Sequence, residues 1–344
     1  MKILHLAGAT TTRFYHELSL TYQRNVCAPP GTEAAVMTVA PGGAMTWRDP
    51  GEANARPVGL DAALHRARAC DVVVPHMFCP SGMTTWRALF EDVAGVPVVG
   101  PAAAAIAIST SKLATKAVAL AAGVATPMAQ RLTHDTTLPD WPAPFIVKPD
   151  AEDNSLGLTL VHDRADTRRA VATALAHADT ALAEAYIPGR EVRVGVLDAG
   201  EGPRVLPVLE YHVTEDHPIR ERADKIAVED GAVTMASWER PSLDTSLPAD
   251  LPGPTKDALA EAALAMHAAL GCRDYSLYDF RIDGDGTPWL LEACSFWTFT
   301  PISVISRMLA AEGIALEDAA AQVWAQAAKR KGPPAMDGPL QAAE

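Results

Sequence analysis

Two acids, Asp279 and Glu292, flank an Asp-Gly turn in the stretch 277–301, LYDFRIDGDGTPWLLEACSFWTFTP. The turn signal at 284–286 predicts a hairpin of strands 277–283 and 289–294, with the two carboxylates on adjacent strands. Apolar residues alternate through the first strand, position 280 excepted. Carboxylates held together in an apolar setting repel, and a shared cation is one resolution. Taken alone, these residues favour the plainer alternative, a hairpin with solvent-facing acids. Lys148 interrupts the apolar strand FIVKP at 145–149. Such a lysine most often snorkels to the surface, and the alternative is an anion ligand projecting from a sheet. The polar loop DAEDNSLG follows at 150–157. A loop of this kind can fold over phosphates through backbone N–H groups, although most merely turn. Glu184 and Glu191 stand on either side of a Pro-Gly bend in 181–197, and Lys225 lies within a long polar connection, 214–238. Connections of that length are uncommon in compact domains unless functional.

The elements that must position these groups follow from periodicity. Segments 2–8, 36–40, 71–75 and 96–100 read as strands, with helices at 12–24, 59–70 and 84–94 between them and loops at 41–57 and 78–82. Alternating strands and helices predict a parallel sheet, with ligands beyond its strand ends. One Ala-rich helix is expected over 101–122, capped by Gly123. Strands at 145–149, 158–161, 181–197 and 204–211 enclose a helix at 164–178. A helix at 255–270 precedes the hairpin, and helices at 302–312 and 316–330 close the chain.

The chain has 344 residues, so two or three lobes with their own cores are expected. A formal net charge of -13 argues against a nucleic-acid surface. No uninterrupted apolar run of about 18 residues points to a membrane span. The apolar core of 1–8 is too short for a signal peptide and reads as a buried strand. Five scattered cysteines without metal-site spacing suit reduced thiols in a cytoplasm.

In order and spacing, the pieces from about His76 to Arg330 resemble the ATP-grasp ligases, and most of all the D-alanine–D-alanine ligase family. Ser109 to Lys116 with Gly123 to Pro127 is similar to the family's lysine helix and its exit. Phe145 to Pro149 with Glu152 to Gly157 is similar to its nucleotide-binding strand and loop. Leu182 to Glu191 resembles its adenine and ribose segment, and Lys225 stands where a mobile-loop lysine is expected. Tyr278 to Phe280 and Leu290 to Glu292 resemble its metal hairpin, and Thr300 to Ser303 the segment after it. The resemblance implies an α/β fold with a parallel N-terminal lobe (1–100), a central ATP-grasp subdomain (101–190), a C-terminal one with the metal hairpin (191–332) and a tail (333–344), with ATP between two sheets. It implies phosphate contacts from Lys112 and Lys148, and a loop over ATP formed by Glu152, Asn154, Ser155 and Gly157. Glu184, Tyr186, Ile187 and Glu191 would surround adenine and ribose. Asp279 and Glu292 would hold Mg²⁺, and Lys225 would stabilise the transferred γ-phosphoryl. A carboxylate substrate would become an acyl phosphate and an amine would displace phosphate, with Arg281 holding the oxyanion. His76, Glu17 and Ser303 are the substrate-side candidates. Lys116 is expected to be a helix-surface charge and Glu210 a strand-end acid. A homodimer is compatible with the resemblance.

The departures cluster on the substrate side. Cys294 replaces the family's metal-site asparagine, and a neutral thiol is a poor ligand for Mg²⁺. Leu277 replaces an arginine two residues before Asp279. Phe296, Trp297 and Phe299 occupy a segment where glycine is expected. The 78–82 segment, FCPSG, lacks the acid that would orient a substrate amine. These changes imply a carboxylate–amine ligase with substrates other than D-alanine, plausibly in specialised biosynthesis. An intramolecular cyclase and a non-catalytic nucleotide-binding protein are the rival readings.

Overall fold

The computed structural model describes residues 1–225, 227–229, 232–234 and 243–330. The expected tail at 333–344 and part of the long connection lie outside those residues. The first sheet has the order β4-β3-β2-β1-β5. β1 (Lys2–Gly8) pairs in parallel with β2 (Glu33–Val39) and β5 (Val72–Pro75), as the alternating pattern predicts. The segment 41–57 is not simply a loop. It contributes β3 (Met45–Arg48) and β4 (Arg56–Pro57), which extend the sheet antiparallel. The expected strand at 96–100 makes only a single bridge, Val98 to Val73. The helix expected at 84–94 is broken, and helical turns begin earlier. Short helices α3 (Pro80–Met83) and α4 (Thr85–Ala88) run into a π-helical turn, Leu89–Val93. Helix α1 (Arg13–Arg24) begins where the Thr12 hydroxyl accepts from the Tyr15 N–H, an N-cap. Helix α2 (Leu60–Ala67) lies between β4 and β5.

The expected long helix at 101–122 is two helices, α5 (Ala103–Thr110) and α6 (Lys112–Ala121), bent by 102°. Ser111 is the reason. Its hydroxyl accepts from the Ala114 N–H as the N-cap of α6 and donates to Asp150 Oδ2 at 2.7 Å. Asp150 Oδ1 takes the Leu113 N–H at 2.8 Å, so one carboxylate caps the new helix and restarts the chain in a new direction. No single helix among the described residues is long and apolar enough to cross a membrane.

The second sheet, β6-β9-β7-β8, is antiparallel and formed by β6 (Ala129–Leu132), β7 (Phe145–Pro149), β8 (Thr159–Val161) and β9 (Ala181–Ala185). Phe145, Val147, Ala181 and Ala183 turn to one face and pack on α7 (Thr167–Leu175). By the two-residue period, Lys148 and Glu184 turn to the other. The third sheet runs β15-β12-β10-β16-β17. Its strands are β10 (Arg190–Leu197), β12 (Leu209–Tyr211), β15 (Thr245–Ser246), β16 (Tyr275–Ile282) and β17 (Pro288–Cys294), with β11 (Arg204–Val205) beside β10. Val192, Val194, Tyr278 and Phe280 pack against α8 (Gly253–Ala269). Glu191, Arg193, Asp279 and Arg281 therefore occupy the opposite face. β16 is buried along its whole length, because it is a central strand covered on both sides. Strands β13 (Ala227–Glu229) and β14 (Ala232–Thr234) form a separate small hairpin.

Helices α9 (Val304–Ala311) and α10 (Leu316–Ala328) pack with Tyr275, Trp297 and Phe299 in a core that also takes in Ile3 and Val72 of the first sheet. Asp274 strengthens this junction. Its carboxylate accepts from Arg330 at 2.7 and 2.8 Å and from the Gly100 N–H at 2.7 Å. Arg273 binds the Glu91 carboxylate at 2.5 and 2.6 Å.

Candidate active site

The charged faces of the second and third sheets enclose a cleft of about 720 Å³. Lys112, Lys148, Glu152, Asn154, Ser155, Glu184, Tyr186, Ile187, Glu191, Lys225, Asp279, Arg281 and Glu292 all line it, so residues spread from position 112 to position 292 meet in one place. Gly157 stands just behind, at φ +71°, where an added Cβ would come within 2.9 Å of His177 and Pro149. Asn154 and Ser155 share the left-handed region, with φ 55° and 57°. Ser155 does more than cap its loop, since its hydroxyl donates to the Arg220 carbonyl at 2.7 Å.

Cross-strand pairing explains the electrostatics. Lys148 and Glu184 are diagonal neighbours on β7 and β9, and Lys148 Nζ donates to Glu184 Oε1 at 2.8 Å. Lys116 Nζ reaches Glu184 Oε2 at 2.6 Å. The expectation of a surface charge at Lys116 is therefore wrong. The bend at Ser111 turns α6 inward, leaving Lys116 only 5% exposed. Burial depresses the Lys116 ammonium to about 8 against the pull of Glu184. Burial opposes ionisation of Glu184, but Lys148 and Lys116 outweigh it and hold the carboxyl below its usual range. One carboxylate between two lysines leaves a surplus of positive charge, which suits a polyanion. Lys112 Nζ donates to the Glu152 carbonyl at 2.6 Å and lies 3.7 Å from Glu292.

On the third sheet, Arg193 sits directly opposite Asp279 and Glu191 opposite Arg281, while Asp279 faces Glu292 across the hairpin. Arg193 grips Asp279 through two bonds, of 2.6 and 3.0 Å. Arg220 bridges Asp279, at 2.8 Å, and Glu191. Its guanidinium stacks 4.0 Å over the Tyr211 ring. The acids are thus cleft-facing and paired, not solvent-facing. Burial opposes the charge on Glu292, but Lys112, Lys225, Lys148 and Arg193 hold its carboxyl well below the usual range. Lys225 is pushed down to about 8, chiefly by burial and by Arg220. Burial raises Asp153, beside them, to about 6.

A second chamber, of about 1030 Å³, adjoins the cleft and shares Lys112, Asn154, Lys225 and Glu292 with it. Its remaining charged lining is Asp153 and Arg193. Arg281, the expected oxyanion group, lines the first cleft but not this chamber. Its guanidinium binds the Gly189 and Pro218 carbonyls, approaches Glu191 at 3.4 Å and lies over the Tyr186 ring. Displaced one step along β16 from Asp279 on the same face, it serves the other end of the cleft. The guanidinium that lines this chamber is Arg193, held against the cleft residue Asp279. Sequence reasoning passed over it, although a lone arginine on the polar side of the alternating strand REVRVGVL was the available signal. Arg220 offered no comparable signal, because its partners are far away in sequence.

The three substrate-side candidates are placed differently from one another. His76 is fully buried and bonded to His5 at 2.9 Å, and burial keeps its ring neutral. Glu17 lines neither cavity. Ser303 does line the chamber, but its hydroxyl accepts from Trp297 Nε1 at 2.9 Å and pairs with Ser306 at 2.8 Å. Of the three aromatics after the hairpin, Phe296 packs with Tyr22 and Phe78. Trp297 and Phe299 stack on each other at 4.0 Å within the core. Glu210 is held by Arg190 through two bonds of 2.6 Å and does not line the cleft.

Residues 133–324 match the family model described as D-ala D-ala ligase C-terminus, more than half of the chain. The chain belongs to the D-alanine–D-alanine ligase family. Among curated relatives, the D-alanine–D-alanine ligase of Bordetella pertussis is 32% identical over 250 residues, covering 71% of this chain and 74% of the relative. That of Bordetella avium is 29% identical over 249 residues, with 71% and 74% covered. An uncharacterised protein, y4sG of Sinorhizobium fredii, is 33% identical over 210 residues, with 58% and 57% covered. In fold, the chain is similar to the D-alanine–D-alanine ligase structure from Coxiella burnetii, with a TM-score of 0.78 at 19% identity and 96% and 94% of the two chains covered. The VanG D-Ala:D-Ser ligase from Enterococcus faecalis gives a TM-score of 0.74 at 19% identity, with 95% and 99% covered. Like its family, the protein has the ATP-grasp fold and is an ATP-dependent, ADP-forming ligase.

Proposed function

We propose that this ligase joins a carboxylic acid to an amine through an acyl phosphate, and that its substrates differ from the D-alanine pair of its named relatives. The observation that carries this reading is the pair of joined cavities. One presents Lys112, Lys148 and Lys225 to a polyphosphate, and the other adjoins it and is lined by Arg193. The chain would act as an N-terminal lobe (1–100) followed by two ATP-grasp subdomains (101–190 and 191–332), with adenine beside Tyr186, Ile187 and Glu191. Lys112 and Lys148 would bind phosphate oxygens, and the loop with Asn154, Ser155 and Gly157 would cover them. Lys225, facing both cavities, would neutralise charge on the γ-phosphoryl as it passes between them.

Asp279 and Glu292 fit one Mg²⁺, because two hard carboxylates meet in register at the cleft. The donor set for a second ion does not fit. Burial pushes the Cys294 thiol up to about 12, so it stays a protonated sulfur. Among the described residues, no group of three His, Cys, Asp or Glu is placed to hold a metal. Asp279 and Glu292 would hold Mg²⁺, whose charge would offset that of the phosphate groups. Arg193 and Arg220, both bonded to Asp279, would present their remaining N–H groups to the substrate carboxylate and the developing oxyanion.

The test is ATP-dependent phosphate release across paired acids and amines, with product masses and with Asp279→Asn and Lys148→Ala alongside. A product equal to two substrates less one water, dependent on both residues, is expected. Turnover of D-alanine as efficient as a cell-wall ligase's would refute the divergent substrate. Loss of one water from a single substrate would identify a cyclase. ATP-induced thermal stabilisation without phosphate release from any mixture would identify a nucleotide-binding protein without turnover. The ligase reading goes with a cytoplasmic location, and with a homodimer as the assembly to check by light scattering.

A further inference from the structure

The geometry points to a carboxylic acid with an apolar, preferably aromatic, body as the substrate that is phosphorylated. This rests on the ligase reading above and names its substrate class. The chamber lined by Arg193 has two unlike ends. Its charged end carries Lys112, Arg193 and Lys225 together with Asp153 and Glu292, and adjoins the nucleotide cleft. Its other end is formed by Tyr22, Phe78, Met83, Ile106, Phe296 and Ile305.

These apolar groups come from both halves of the chain. Tyr22 is on α1, Phe78 follows β5, Met83 is on α3, Ile106 is on α5, and Phe296 follows the hairpin. Their rings are already packed together. Phe78 and Phe296 have centroids 4.9 Å apart, and Tyr22 lies 5.9 Å from Phe296 and 6.3 Å from Phe78. Tyr22, Met83, Ile106 and Phe296 are each less than 9% exposed. A preformed apolar wall of this kind rewards a ligand that displaces water from it, and aromatic rings favour edge-to-face contact with another ring.

The acids in the lining complete the argument. Asp153 and Glu292 are the only carboxylates among the described residues of the chamber wall, and both stand at the charged end. Asp153 is close enough to act on the Tyr22 phenol, and apart from Lys112, Arg193 and Lys225 the other polar groups of the lining are neutral, the Ser109, Thr110 and Ser295 hydroxyls among them; Glu17 is not in the lining. A substrate ammonium in the chamber would find no carboxylate besides these two, and they already face Lys112, Lys225 and Arg193. A substrate with only a methyl group would leave most of that apolar wall uncovered. A carboxylate at the charged end joined to a hydrophobic body meets both ends. Its oxygen would attack the γ-phosphorus, the bond from that phosphorus to the ADP oxygen would break, and ADP would leave.

Hydroxylamine tests this without knowledge of the amine substrate. Its nitrogen attacks the acyl carbon, phosphate leaves with the C–O bond, the nitrogen loses a proton, and a stable hydroxamate remains. Full-length protein, ATP, Mg²⁺ and hydroxylamine are incubated with hydrocinnamate or isocaproate, and in parallel with acetate or D-alanine. Hydroxamate is read by mass spectrometry. We expect kcat/KM for the apolar acids to exceed that for acetate and D-alanine by at least roughly tenfold, the scale set by a single methylene in an apolar pocket. Ile106→Trp, which fills the chamber, should raise KM for hydrocinnamate more than for acetate while the ATP-induced melting shift persists. Hydroxamate made preferentially from D-alanine or acetate overturns the substrate class and leaves the ligase reading intact. No hydroxamate from any acid, with the ATP-induced shift retained, overturns both.

Discussion

Replacing Arg193 by leucine isolates the contact between the chamber lining and the cleft residue Asp279. The Arg193 side chain is 18% exposed and that of Asp279 3%, so their bidentate pair works largely away from solvent. Removing one member of a buried pair costs about 3–5 kcal/mol when the remaining charge is left alone. Here Asp279 keeps Arg220 at 2.8 Å, so it is only partly stranded. Leucine also restores some of the packing of the arginine stem. The net loss is therefore expected at the lower end, about 2–3 kcal/mol, with a fall in Tm of roughly 5–10 °C. Urea unfolding of Arg193→Leu, Asp279→Asn and the double variant closes a double-mutant cycle. A coupling of about 1–2 kcal/mol is expected for groups in direct contact. Kinetics give an independent readout. Arg193 lines the acid chamber and not the nucleotide cleft, so KM for the acid should rise more than KM for ATP. Additive stability losses together with an unchanged KM for the acid would refute the reasoning, because the pair would then be neither a shared contact nor a substrate-side group.

Three further outcomes follow from the same geometry. Cys294→Asn replaces a protonated thiol with an oxygen donor beside Glu292, so half-saturation by Mg²⁺ in phosphate release should fall several-fold; an unchanged value would show that position 294 lies outside the metal's reach. Gly157→Ala places a Cβ at φ +71° within 2.9 Å of His177 and Pro149, and should cost about 1–2 kcal/mol and raise KM for ATP; full stability with unaltered ATP affinity would contradict the tight fit. Asp153 gives a pH test. Its folded pKa, raised by burial to about 6, exceeds the usual carboxylate value, so between about pH 4 and 6 the folded state binds more protons than the unfolded one. That group's contribution to stability is thus lost as pH rises through the window. The Tm of Asp153→Asn relative to the unaltered protein should climb from pH 4 to pH 6, and a flat difference would exclude the effect.

Much of this protein was legible in the sequence, and the reason is local. Strand period, turn residues and helix caps depend on near neighbours. The parallel pairing of β1, β2 and β5, and the hairpin that carries Asp279 and Glu292, could therefore be read from order and spacing. The likeness to ATP-grasp ligases rested on the same order. What only the tertiary structure decided were contacts between distant segments. Asp150 breaks an Ala-rich helix at Ser111 and so turns Lys116, which looked like a surface charge, into a buried partner of Glu184. Arg220 finds Asp279 and Glu191 across long stretches of chain, while Arg281, close to Asp279 in sequence, is spent at the far end of the cleft. His76 withdraws into a pair with His5, and Tyr22 and Phe78 come round to meet Phe296. Local pattern records which way a side chain turns from its own strand or helix. It does not record which other segment stands there to receive it, and in this ligase that second fact shapes the substrate site.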